Sequence, residues 1–524
     1  MPKVLISDKL SPLAAEVFRN RGIEVDEAPG LDAETLLERI VDCDGLAIRS
    51  ATKVAAEVLA AAKQLRVVGR AGIGVDNVDV PAATANGVVV MNTPFGNSVT
   101  TAEHAVAMMM ALARRIPQAD ASTRSGKWEK SRFMGVELAG KTLGLIGCGN
   151  IGSIVADRAQ GLKMRVIAYD PYMSGERAAE LALEKVEFDA LLARADIISL
   201  HTPLSDSTRN ILDAAALAKT RKGVRIVNCA RGGLVNEADL AAAIETGHVA
   251  GAALDVFETE PVGESPLFAF EQVIATPHLG ASTSEAQEKV AVQVAEQMAD
   301  YLLDGAVTNA LNMPSVTAEE APKLEPYMVL ARQLGGFAGQ ITESGITSVS
   351  LQFEGHATTL NCRPVTAVVL QGLLAPQLEG VNMVNAPLIA KEREINVREI
   401  LFDGRCDYHT LVSLTVTTER RTRSISGTLL GERPRITEIE GIAMDAGIGT
   451  NMLYIKNRDQ PGMVGAFAKM LGDAGINIAT FHLGRSEAGG EAMALVEIDQ
   501  EVPTDLLAAL RALDGVVQAK SLKF

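Results

Sequence analysis

The stretch Lys141–Gly152, KTLGLIGCGNIG, is an apolar run that enters Gly147, Gly149 and Gly152 at G-x-G-x-x-G spacing, and a second apolar run, RVIAYD, closes on Asp170. Strand, glycine turn, helical stretch (Ile151 to Gln160) and acid-terminated strand fit within about 30 residues, the length of one βαβ unit. In that setting each glycine has a task. Gly147 permits a tight turn, Gly149 lets backbone N–H groups approach a pyrophosphate, and Gly152 allows close contact of helix and strand. Asn150 and Ile151 open the helix, whose N-terminal partial charge favours an anion. Asp170 is placed to accept hydrogen bonds from a ribose diol. Its carboxylate would repel a 2′-phosphate and no Arg or Lys directly follows it, so the unit predicts NAD rather than NADP.

Outward from this unit, residues 1 to 98 alternate short apolar strands (Val4 to Ser7, Gly45 to Ile48, Val67 to Val68, Val88 to Met91) with Ala/Leu/Glu-rich helical stretches, the rhythm of a parallel sheet. A helix is predicted from about Thr101 to Arg115, with Thr100 and Glu103 as a capping box. Beyond the glycine motif, strands fit at Ile197 to Leu200, Arg225 to Asn228, Gly251 to Leu254 and Gln272 to Ala275. A second capping box, Ser282 with Glu285, predicts a helix that stops at Gly305 and returns the chain to the first domain. Pro314, Pro322 and Pro326, with Glu319 and Glu320, read as an exposed boundary.

Composition narrows the class. The 524 residues, enough for about three or four domains, are 47% hydrophobic with a net charge of −16. No uncharged run of about 18 apolar residues occurs, so no membrane span is expected. The start, MPKVLISDKL, enters a strand without a basic, apolar leader, and a cytoplasmic location is expected. Cys43, Cys148, Cys229, Cys362 and Cys406 are far apart in sequence and form no C-x-x-C pair, so neither a metal site nor a disulfide framework is expected. The acidic balance and scattered basic residues argue against nucleic acid as a partner. An anionic substrate would need Arg and Lys concentrated locally against that field.

Open α/β sheets bind ligands beyond the C-terminal ends of their strands. Three segments follow later strands: VNCARGG with Arg231, LDVFETEP with Asp255 and Glu260, and TPHLGAST with His278. An imidazole can take a proton from a hydroxyl as hydride leaves the same carbon, and an adjacent carboxylate orients the ring. A guanidinium can grip a substrate carboxylate in bidentate fashion. His104 and His248 read as structural, and His201 in LHTP edges the cofactor.

Together with RAGIGVDNVD (Arg70 to Asp79), NTPFGNSVTTAEH (Asn92 to His104) and SGKWEKSRFMGVEL (Ser125 to Leu138), these segments resemble, in order, the signatures of the D-isomer-specific 2-hydroxyacid dehydrogenase family. The resemblance is to its long, phosphoglycerate-oxidising members. It implies NAD-dependent oxidation of 3-phospho-D-glycerate to 3-phosphohydroxypyruvate, the first step of phosphorylated serine biosynthesis, with Arg231, Glu260 and His278 as the catalytic trio. It further implies Thr202, Pro203, Cys229, Ala230 and Asp255 along the cofactor, and N–H groups of Gly72 and Gly74 on the substrate carboxylate. Arg49, Ser50, Arg70, Lys130 and Arg132 would receive the phosphate end, the last two from a second subunit of a homo-oligomer that is a tetramer in relatives. Two other readings share the fold: a dehydrogenase of glyoxylate, hydroxypyruvate or 2-hydroxyglutarate, and a nucleotide-sensing corepressor.

Residues 316–450 resemble an intervening domain through VNAPLIAKERE and SGTLLG. Residues 452–524, in the order strand, helix, strand, strand, helix, strand, resemble a ferredoxin-like ACT domain, in which Asp459 and Asn477 would bind an effector such as L-serine. The expected architecture is therefore two doubly wound parallel-sheet domains, a substrate domain (1–98 with 284–310) and a Rossmann domain (99–283), followed by an α+β intervening domain and the ACT domain.

Overall fold

A computed structural model of the chain describes residues 1–317, 319–404 and 406–524. The first sheet comprises β1 (Lys3–Ile6), β2 (Glu24–Glu27), β3 (Gly45–Ile48), β4 (Val67–Arg70) and β5 (Val89–Asn92), all parallel in the order β2-β1-β3-β4-β5. Its inner strands are buried on both faces, which is why they read as unbroken apolar runs rather than alternating ones. Helix Ser284–Asp304 covers one face, and Gly69 makes room for it: a Cβ there would sit 2.7 Å from the Val294 side chain. Thr283, one residue beyond the expected Ser282, caps this helix by accepting from Ala286 N–H.

The second sheet comprises β6 (Thr142–Ile146), β7 (Arg165–Tyr169), β8 (Glu184–Lys185), β9 (Ile197–Leu200), β10 (Val224–Asn228), β11 (Val249–Leu254) and β12 (Val273–Ala275). They run parallel in the order β12-β11-β10-β9-β6-β7-β8. The chain steps from β6 outward to β8, then returns to β9 on the other side of β6. That reversal opens a crevice beyond the C-terminal ends of β6 and β9. The first sheet has the same reversal between β1 and β3.

A third sheet holds β13 (Ile346–Gly355), β14 (Asn396–Phe402), β15 (Thr410–Thr418), β16 (Thr422–Leu430), β17 (Arg433–Ile439) and β18 (Ile442–Ala446), in the order β14-β13-β15-β16-β17-β18. Only β13 and β14 run parallel. Helices Ala321–Ile341 and Cys362–Leu374 pack together closely because Gly339 and Gly372 carry no side chain; a Cβ on Gly372 would lie 2.7 Å from Gly336 N. The fourth sheet, β19 (Asn451–Arg458), β20 (Ile478–Arg485), β21 (Glu491–Ile498) and β22 (Val516–Lys523), is antiparallel in the order β20-β21-β19-β22. With helices Met463–Asp473 and Thr504–Arg511 it forms the ferredoxin-like unit. The expected fold class holds throughout.

Besides the Ser282 cap, two further local expectations do not hold. The helix expected from Thr101 runs over Ser98–Arg114, and Thr100 caps nothing. The Ser98 and Thr101 hydroxyls donate back to the Pro94 and Asn97 carbonyls, so they extend the first turn instead of ending it. Pro322 and Pro326 lie inside helix Ala321–Ile341 rather than in an exposed boundary. Pro322 sits in the first turn, where its missing N–H costs nothing. Pro326 forfeits one bond, to the Pro322 carbonyl, and burial of Leu324, Tyr327, Leu330, Ala331 and Leu334 outweighs it.

Candidate active site

A cleft of about 760 Å³ lies between the first two sheets, and its walls carry Arg49, Ser50 and Arg70 from one and Arg231, Glu260 and His278 from the other. Asp255, directly after β11, organises the His278 loop and is fully buried. Its Oδ1 accepts from Thr276 Oγ1 (2.6 Å) and Leu279 N–H (2.7 Å), its Oδ2 accepts from Gly280 N–H (2.8 Å), and His104 Nε2 lies 3.2 Å from Oδ1. Burial works to raise the Asp255 carboxyl, but the bonds from His104, Thr276 and Leu279 prevail and hold it below the usual range. The loop so fixed puts His278 at φ 55°, a left-handed conformation that a histidine keeps only under tertiary constraint.

In that pose His278 Nδ1 lies 2.7 Å from Glu260 Oε2. Glu260 Oε1 accepts from Phe257 N–H at 3.0 Å. Burial pushes the Glu260 carboxyl up, yet the bonds from His278 and Phe257 bring it below its ordinary value, so it stands ionised as an acceptor. An ionised carboxylate on Nδ1 places the ring proton there and leaves Nε2 as the free base.

Arg231 follows β10 on a turn held by Asn228, whose Oδ1 accepts from Ala230 N–H (3.1 Å) and whose Nδ2 donates to the Arg231 carbonyl (2.9 Å). Its guanidinium donates through Nη1 to the Ala230 carbonyl and through Nε to Asp76 Oδ2 across the cleft, at 2.6 and 2.9 Å. Arg70 lies alongside. Its Nε is buried without a partner, and burial first, then the neighbouring Arg231 charge, draws its pKa down to about 10. Such a guanidinium is an anion receptor with a donor to spare. Gly72, at φ 140°, leaves the space the Arg70 side chain fills.

The Gly72 N–H expected on the substrate carboxylate is instead donated to Thr93 Oγ1 at 2.7 Å, and Gly74 lies beneath the Arg231 guanidinium. Arg49 and Ser50 sit on a loop locked by Asp8. That buried carboxylate accepts from the N–H groups of Arg49 (2.6 Å) and Thr52 (3.0 Å), while Asn77 Nδ2 donates to the Arg49 carbonyl (2.8 Å). Asp8, Asp76 and Asn77 escaped the sequence reading. Asp8 follows β1 at the strand end where ligands gather, and the other two stand inside RAGIGVDNVD.

At the second sheet's crevice, Gly147 has φ 88° and a Cβ on it would lie 2.6 Å from the His201 carbonyl, while a Cβ on Gly152 would run into the Gly147 carbonyl. Gly149 faces open space, and helix Asn150–Gly161 begins without a side-chain cap, so its first N–H groups are unclaimed. Asp170 accepts from Cys148 N–H and Tyr172 N–H, both at 2.9 Å. Thr202 and Pro203 follow β9 at this crevice, with Ile151 in the helix's first turn. An open, uncapped helix N-terminus beside an acid fits a dinucleotide.

Cys229 and Ala230 are buried beside Arg231, and burial pushes the Cys229 thiol far above its ordinary value. Burial likewise draws His201 down to about 4, so this ring, 2.8 Å from Ser199 Oγ, is neutral. His248 Nε2 lies within 3.0 Å of the Leu217 carbonyl and Thr220 Oγ1, a structural role.

Some expected residues stand apart. Lys130 and Arg132 lie on the short turn Lys130–Phe133 outside the cleft, Arg132 paired with Glu129 and Glu271 and Lys130 5.9 Å over the Trp128 ring. Within one chain they do not join Arg49 and Arg70. In the fourth sheet's unit, Asp459 accepts from Gly489 N–H (3.1 Å) and Arg485 (2.9 Å), which hold its carboxyl below the usual range, whereas Asn477 donates to Asp499 (2.9 Å). No hydrogen bond joins the two. Among the described residues, no group of three or more His, Cys, Asp or Glu could hold a metal, and no helix is long and apolar enough to cross a membrane.

Family models match three consecutive regions: the D-isomer specific 2-hydroxyacid dehydrogenase, NAD binding domain (residues 106–280), the D-3-phosphoglycerate dehydrogenase intervening domain (323–440) and the ACT domain (451–515). A D-3-phosphoglycerate dehydrogenase from Synechocystis sp. is 42% identical over 100% of this chain and 95% of its own length. One from Methanocaldococcus jannaschii is 42% identical over 98% of each. Among solved structures, a glyoxylate reductase from Paecilomyes thermophila is similar with a TM-score of 0.56 and 30% identity, over 59% of this chain and 98% of that one. That structural likeness spans little more than half of the chain, whereas the sequence likeness runs from end to end and takes in the intervening and ACT regions: the chain belongs to the D-3-phosphoglycerate dehydrogenase family.

Proposed function

We propose that the cleft oxidises the C2 hydroxyl of 3-phospho-D-glycerate to the ketone, using His278 as base. The observation that carries this reading is the 2.7 Å pair of His278 Nδ1 and Glu260 in the same cleft as Arg70 and Arg231. His278 Nε2 takes the hydroxyl proton, and Glu260 holds the ring and balances the imidazolium that forms. Bound NAD would supply the acceptor for the hydride leaving C2. Gly147, Gly149, Asn150, Ile151 and Gly152 would hold its pyrophosphate, Asp170 its ribose, and Thr202, Pro203, Cys229, Ala230 and Asp255 would line it. Arg231 offers its remaining Nη2 donors to the C1 carboxylate and the C2 oxygen, where negative charge grows as the proton departs. Arg49, Ser50 and Arg70 meet the phosphate end, joined by Lys130 and Arg132 of a second copy in a homo-oligomer.

The regulatory half of the reading rests on the ACT region, where L-serine is the proposed effector at Asp459 and Asn477. A cytoplasmic location accords with five free thiols. The competing corepressor reading has no use for the His278–Glu260 pair, and the glyoxylate reading has none for an Arg70 whose buried Nε has no partner.

His278→Ala tests the base. Turnover should fall about 10³-fold while NAD affinity, read by quenching of protein fluorescence, stays within about twofold. Turnover within tenfold of the parent would assign the proton to another group.

A further inference from the structure

Asp76 has no part in the proton transfer above, yet its carboxylate stands on the guanidinium that receives the substrate. Its Oδ2 lies 2.9 Å from Arg231 Nε, its side chain is 66% exposed, and it lines the same cleft. Arg231 Nη1 is held by the Ala230 carbonyl, so Asp76 already occupies the Nε side of a fork whose bidentate partner should be an incoming carboxylate. The other charged groups facing Arg231 leave Asp76 in a singular position. Arg49 and Arg70 add positive charge; Asp255 is tied to the His278 loop and Glu260 to the imidazole, while Glu258 lines the cleft without reaching either guanidinium. Asp76 sets a negative charge directly against Arg231 and, with the more distant Asp8, offsets the charge of Arg70.

We propose that Asp76 is a positioning and affinity-limiting residue. It holds Arg231 as an internal stand-in for the substrate carboxylate, yields or shares it when an acid arrives, and by its charge weakens the hold on both acid and product. The inference rests on the reading of this cleft as the 3-phosphoglycerate site. A carboxylate that opposes a bound anion in ground and transition states alike raises KM without touching the chemical step. Without it, an anion is held more tightly and leaves more slowly.

Steady-state oxidation of 3-phosphoglycerate by the full-length parent, Asp76→Asn and Asp76→Glu tests this. For Asp76→Asn the account predicts KM for 3-phosphoglycerate about tenfold lower, kcat lowered by no more than about threefold through slower release, and KM for NAD unchanged. Asp76→Glu, which restores the charge, should return KM to within about twofold of the parent. A merely structural role would instead raise KM and depress kcat together, and an unchanged or raised KM in Asp76→Asn would overturn the proposal while leaving the function intact. Should Asp76→Asn fold poorly, Asp76→Ser removes the same charge and carries the same expectation. A parent enzyme inactive on every 2-hydroxy acid would overturn the functional reading itself, and the proposal with it.

Discussion

Two clusters of cations sit in different halves of the molecule, and they are completed differently. In the cleft, Arg70 is half-buried with a buried, unpartnered Nε beside Arg231, and the nearest opposing charge, Asp76, is largely exposed and reaches only Arg231. Between the third and fourth sheets, Arg423 and Lys456 are buried more deeply, and although Arg423 Nε likewise makes no hydrogen bond, the opposing charges are internal. Glu440 lies 3.1 Å from Arg423 Nε and 2.8 Å from Lys456 Nζ, which also meets Glu491 at 2.9 Å, while Arg423 donates to the Ile341 carbonyl and Gln518. The second cluster is neutralised by its own chain and works as a strut between the intervening and ACT regions. The first is left short of acceptors, the state of a receptor awaiting an anion.

Breaking each cluster should therefore produce opposite phenotypes. Glu440→Gln strips the shared carboxylate from two buried cations and should cost about 3 kcal/mol of stability. Denaturant unfolding would register this loss while kcat stayed within about twofold; a stable variant with altered kcat would place the cluster in the catalytic machinery. Asp255→Asn comes next, since the amide cannot accept all the bonds that fix the His278 loop, and should cost about 2 kcal/mol at neutral pH. Because the Asp255 carboxyl is held below its ordinary 3.8 in the folded chain, its contribution is complete above that value and fades as pH falls through the lower folded value. The gap between parent and variant, followed by thermal melts across pH, should thus narrow only below about pH 4.

The smallest expected change sharpens the contrast most. Arg70→Met keeps the volume and removes a half-buried charge whose Nε has no partner, so it should raise KM for a phosphorylated acid about tenfold while leaving the melting temperature equal or higher. A lower melting temperature with unchanged KM would make Arg70 a strut like Arg423.

The sequence showed the parts of the site whose chemistry is local. The glycines at 147, 149 and 152, the acid at 170, and Arg231, Glu260 and His278 each follow a strand, and a strand end in a doubly wound sheet is a ligand position. Long-range pairings were not legible. Asp8 serves a loop more than forty residues away, and Asp76 meets Arg231 across 155 residues, so neither signals its partner in a linear reading. Nor could spacing show that the Gly72 N–H is taken by Thr93, or that Lys130 and Arg132 do not line the cleft of their own chain. Pro326 misled for a different reason, because proline punctuates helices only when burial does not override it.

The central claim is that this cleft passes hydride from a phosphorylated 2-hydroxy acid to NAD. Its most direct test follows NADH formation by the purified chain with 3-phosphoglycerate, D-glycerate and 2-hydroxyglutarate in parallel, each with NAD or NADP, with and without L-serine. The account predicts turnover with 3-phosphoglycerate and NAD at least about a hundredfold above every other pairing, and inhibition by serine if the ACT region is its sensor. Turnover of an unphosphorylated acid at equal efficiency would contradict it, reducing Arg49 and Arg70 to surface charge and leaving only the fold and the His278–Glu260 pair.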